Sequence, residues 1–101
     1  VSIGDTLVVR CDADRPVEIR VYGDAGEPLV RCRDDGGCQV TRDGEQRHYT
    51  LELVLRTHGD VRAVLFPATA GLPPPHDLNG DFEAAHRAGI EAKHVAMYRV
   101  Q

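Results

Sequence analysis

The sequence predicts a mainly β protein, an antiparallel sandwich of about seven strands with one helix before the last of them. Three observations carry that prediction. Apolar and polar residues alternate with period two through most of residues 5–67, the signature of half-buried strands. Clusters of Gly, Pro and Asp interrupt the alternation at short intervals, as they do where strands reverse in sandwiches. After the run Pro73-Pro74-Pro75, one segment shows helical spacing instead.

Taken in order, the first run puts Leu7, Val9 and Cys11 on one face and Thr6, Val8 and Arg10 on the other. The second, VEIRVY, turns Val17, Ile19 and Val21 inward and Glu18, Arg20 and Tyr22 outward. GDAGEP reads as a turn in which Gly supplies positive φ and Pro28 begins the next strand. LVRCR follows, with Val30 and Cys32 on one face. The longest strand signal is HYTLELVLR, where Tyr49, Leu51, Leu53 and Leu55 alternate with Thr50, Glu52, Val54 and Arg56. In VRAVLF both faces are apolar, so this strand needs cover on both sides.

The second cover is expected from residues 78–88. Asp77 or Asn79 can cap a helix of about three turns, Gly89 suits its left-handed stop, and Ile90 the apolar contact beyond. Leu78, Phe82 and Ala85 then share a face that is expected to lie on Val54, Val64 and Phe66. KHVAMYRV closes the chain as a last strand whose inward parity is ambiguous. The plan is an immunoglobulin-like sandwich forming a single domain over 1–101.

A chain of 101 residues is about one domain, small enough for a cross-link to matter. The formal net charge of −4 gives no diffuse positive field, so neither nucleic acid nor an anionic membrane is a favoured partner. Eleven Arg against a single Lys, Lys93, suggest a GC-rich bacterial origin. No run is apolar enough to span a bilayer, and the start VSIGDT reads as a fragment of something longer.

Cys32 and Cys38 flank the turn DDGG. With Asp34, Asp35 and Gly36 as a three-residue hairpin loop and Gly36 left-handed, the two cysteines lie opposite each other on one face and can form a disulfide clasp. A bond from Cys11 to Cys32 across the sandwich stays open as the alternative. The C-x5-C spacing does not match zinc knuckles or redox motifs.

The histidines at 48, 58, 76, 86 and 94 form no i, i+4 metal pair and no HExxH. Asp77, Asn79 and Asp81 have the opening spacing of a calcium loop, but Gly80 and Ala88 fall where that loop needs other residues. Ser2 is the only serine, and neither GxSxG nor a phosphate-binding loop occurs, so no catalytic residues and no cofactor are expected. Arg10, Arg20, Arg31, Arg33 and Arg62, interleaved with Glu18 and Glu52, read as cross-strand charge pairs on a solvated face. Within that face Arg20, Tyr22 and Arg62 are the expected docking surface for another protein.

The succession PVEIRVYGDAGEPLVRCR, YTLELVLRTHGDVRAVLFPA and LPPPHDLNGDFEAAHRAGIEAKHVAMYRV resembles the extracytoplasmic sandwich region of bacterial membrane-anchored anti-sigma-factor-like and envelope-sensing proteins. The resemblance implies an oxidising, periplasmic setting and a non-catalytic sensing or docking role within a membrane-anchored parent. The alternative function is a small-ligand or metal-binding accessory domain using His76, Asp77 and His86 around the Pro-rich connector.

Overall fold

The structure, a computed structural model, describes residues 1–69 and 71–101. Its elements in chain order are β1 (Thr6–Ala13), β2 (Val17–Tyr22), β3 (Pro28–Cys32), β4 (Gln39–Asp43), β5 (Gln46–Val54), β6 (Gly59–Pro67), α1 (Leu78–Arg87) and β7 (Lys93–Val100). The strands form two antiparallel sheets, ordered β1-β5-β4 and β3-β2-β6-β7. These are the orders of strands B-E-D and C′-C-F-G in an immunoglobulin-type sandwich, with the helix placed in the connection before the last strand.

The core between the sheets is built from the alternate residues expected to point inward. Leu7, Val9 and Cys11 of β1, Tyr49 and Leu51 of β5, and Val17, Ile19 and Val21 of β2 are all buried there, with Val61 and Ala63 of β6. Burial of such side chains contributes about 1.5–3 kcal/mol each, so this layer is the main source of stability.

The other face of the wider sheet is covered as well. Tyr22, Val64 and Phe66 form a second cluster with Ala85 of α1, joined by Leu78, Phe82 and Ile90. Val54 does not join it: β5 lies in the opposite sheet, and Val54 points to solvent from that sheet's outer face. Period-two alternation shows which residues share a face of one strand, but not which sheet that strand enters.

The helix begins and ends as its sequence dictates. Asp77 is the N-cap and accepts a hydrogen bond from Gly80 N at 2.6 Å. Gly89 adopts φ 71°, which lets Gly89 N bond to His86 O and Ile90 N to Ala85 O. Ile90 is thereby drawn into the apolar cluster beneath the helix.

Candidate functional site

The surface expected to receive a partner lies inside the molecule. Arg20 and Tyr22 are both 0% exposed, so they are not a docking face. The physical reason is their place on β2, the strand flanked by β3 and β6, directly beneath α1 and the proline-rich connector. Arg62, on β6, keeps partial exposure and pairs with Asp60 at 3.5 Å.

What covers Arg20 and Tyr22 also pairs most of their polar atoms, although Arg20 Nη1 is buried with no hydrogen bond among the described residues. The Arg20 guanidinium donates to Glu18 through Nε and to the Pro73 carbonyl through Nη2, and its carbon sits 4.9 Å from the centre of the Phe66 ring. Its Nη1 faces Asp81 Oδ2 at 3.3 Å. Tyr22 donates its hydroxyl to the same Asp81, whose other oxygen accepts from His76 N at 3.0 Å. Glu18, 1% exposed, also receives Arg31 at 3.0 Å and Arg33 at 3.6 Å. Burial, more than the bond to Asp81, pushes the Tyr22 hydroxyl pKa far up and keeps it a neutral donor. Of the cross-strand charge pairs read from the sequence, Arg31 and Arg33 do meet Glu18, whereas Arg62 pairs with Asp60 within β6. Glu18, Arg20 and Asp81 form a buried ionic layer clamping helix to sheet instead of a solvated face.

Cys32 and Cys38 form the disulfide, with Cα atoms 5.1 Å apart, and Cys11 is a free buried thiol. The turn differs in detail from the expected three-residue loop. Arg33 and Gly36 bond to each other around Asp34-Asp35, and Gly37, not Gly36, takes the positive φ of 85°. A Cβ on Gly37 would meet the Arg31 carbonyl, so the chain needs glycine there as it leaves one sheet for the other. Because β3 and β4 belong to different sheets, the clasp ties the two sheets together along one side. Burial, then the neighbouring Asp12 charge, raises the Cys11 pKa and holds it as an unreactive thiol.

The residues of the alternative reading are not drawn into one site. Asp77 is committed to capping, and the His76 side chain is largely exposed beside it, 3.5 Å from Asp77 Oδ2. Among the described residues no three metal-ligating side chains cluster. His94 packs on Phe82 with ring centres 5.2 Å apart, and His48 contacts Asp12 at 2.7 Å.

An unclaimed feature lies on the side opposite the clasp. One sheet has four strands and the other three. With β3 held to the β4 side by the disulfide, the extra width falls at β7. Between the edges of β1 and β7 runs a groove of about 300 Å3, lined by Arg10, Cys11, Asp12, Leu65, Lys93, His94 and Val95. It is continued by a second hollow of about 360 Å3 along Asp12–Val17, Leu65, Pro67 and Lys93. Leu65, Ala96 and Tyr98 pack on the core but keep partial exposure, and Val95 is exposed.

Sequence reasoning missed this seam. The signal was the ambiguous parity of KHVAMYRV, which does not say that cover is absent. Compared with known protein families, with curated proteins and with solved structures, the chain matches none of them.

Proposed function

We propose that this domain is a non-catalytic interaction or sensory module of a larger bacterial envelope protein, working on the periplasmic side of the membrane. The observation that carries the reading is how the molecule divides its polar groups and its edges. Interior ionisable side chains pair with one another to lock α1 to the sheet, while two strand edges with a groove between them are left open. Groups spent on locking a scaffold are not poised for reaction, whereas open edges are a usual place for another chain to dock.

The disulfide supports an oxidising compartment, since such bonds persist in the periplasm and rarely in the cytosol. Among the described residues no helix is long and apolar enough to cross a membrane, so anchoring belongs to the parent in this reading. The arginine-rich composition supports the bacterial source.

The test is cross-linking in cells that make the parent protein, with thiol titration of the recovered chain. The reading expects one recurring envelope protein joined to this domain and one titratable thiol per denatured, unreduced chain. Cross-links confined to the chain itself, or three titratable thiols, would overturn it.

A further inference from the structure

We propose that the β1–β7 seam accepts one extended polypeptide segment from a partner, which adds as a strand and completes a four-on-four sandwich. This rests on the interaction-module reading and names the place and chemistry of the contact.

Three observations fix the occupant. The first is width: the sheets differ by one strand, and the clasp at β3 and β4 puts the difference at β7, so the seat is one strand wide. A second copy pairing through β1 would carry its own overhanging β7 into the place already held by β6.

The second is the backbone. Leu55 N bonds to Asp5 O, and β1 pairs with β5 in continuous register from Thr6↔Val54 to Ala13↔Arg47. Leu7, Val9 and Cys11 therefore turn their backbone groups toward β5, and Val8, Arg10 and Asp12 turn theirs to the open side. These donors and acceptors are ready for a strand laid antiparallel to β1.

The third is the floor of the seat. Leu65, Ala96 and Tyr98 present partly exposed apolar surface on the inner face, where the missing strand of the narrower sheet would cover them. Arg10, Asp12 and Lys93 on the rim carry both signs of charge. A segment with apolar side chains at alternate positions facing this floor and polar ones facing out matches both surfaces. The other edges fit less well. β3 and β4 are five residues each, β3 begins with Pro28, and both are held at the clasp.

The probe is a synthetic peptide of about ten residues alternating leucine and threonine, with a glutamate and a lysine at its ends. A control of equal composition has its leucines in adjacent pairs. Hydrogen exchange and titration are followed on the oxidised domain and on two variants. Arg10→Pro removes one open-side N–H without removing a bond to β5. Ala96→Glu puts a charge on the floor and serves if the proline variant does not fold.

The expected result is one peptide per domain, new protection at Val8, Arg10 and Asp12, and binding weaker by at least about tenfold in the variants and the control. No protection at about 1 mM peptide, equal binding of the control, or dimerisation of the free domain through this seam would overturn the proposal. A cellular cross-link that survives both variants would sink the seam while leaving the module reading standing. Peptide binding without any cellular cross-link would support the seam and sink the module reading.

Discussion

Asp34 shows how much one carboxylate in a tight turn can hold. Its Oδ1 accepts the Tyr49 hydroxyl, and its Oδ2 lies 3.3 Å from both Arg42 and Arg47. Tyr49 in turn receives Val17 N at 3.2 Å, so the turn, β5 and the start of β2 meet at one phenol. The Tyr49 bond, assisted by Arg47 and Arg42, lowers the Asp34 pKa below the ordinary 3.8. A carboxyl lowered by folding contributes stability that is complete above its unfolded value and lost as pH falls through the folded one. The thermal midpoints of the native chain and Asp34→Asn should therefore differ by a constant amount at neutral pH and converge below about pH 3.8. Denaturation across a pH series measures this, and a gap unchanged in acid would contradict it. At this scale the sequence was informative about side-chain type and silent about partners. Asp34 reads as a turn former, and nothing in its neighbours says that Tyr49, fifteen positions on, closes over it.

The pairing of α1 with β2 carries the largest difference between expectation and structure. The helix, its Asp77 cap, its Gly89 stop and its apolar face of Leu78, Phe82 and Ala85 were legible, because each depends on local spacing. The burial of Glu18, Arg20 and Tyr22 was not, because a polar face looks the same in sequence whether water or an ionic layer satisfies it. β4 was equally hard to see, since QVTRD carries one apolar residue and forms an edge. The ionic layer predicts two graded losses. Tyr22→Phe leaves Asp81 short of one donor and should cost about 1–3 kcal/mol in denaturant unfolding. Because folding raises the Tyr22 pKa, its contribution is complete below the unfolded value of 10.0 and lost as pH rises above it, so the variant should lose less than the native chain in alkali. Glu18→Gln takes the nearer of its two counter-charges from buried Arg20, leaving only Asp81, and takes the partner of Arg31 as well, so it should cost more, about 3–5 kcal/mol. Equal and small losses from both would show that the layer is solvated and the helix loosely held.

At the scale of the whole molecule, the same asymmetry that stabilises the fold leaves it open. The clasp joins the sheets on one side, α1 seals the outer face of the wider sheet, and the far side ends in two eight-residue edges, β1 and β7. Strand count and the sandwich class followed from alternation and turn spacing, but the pairing order that leaves β1 and β7 beside one groove is a long-range property that local patterns do not encode. Residue-resolved amide hydrogen exchange on the free, oxidised domain tests this most directly. Leu7, Val9 and Cys11 should be protected by β5 while Val8, Arg10 and Asp12 exchange at nearly unprotected rates. Uniform protection along β1 would mean that its outer edge is already covered, and the open seam would be contradicted.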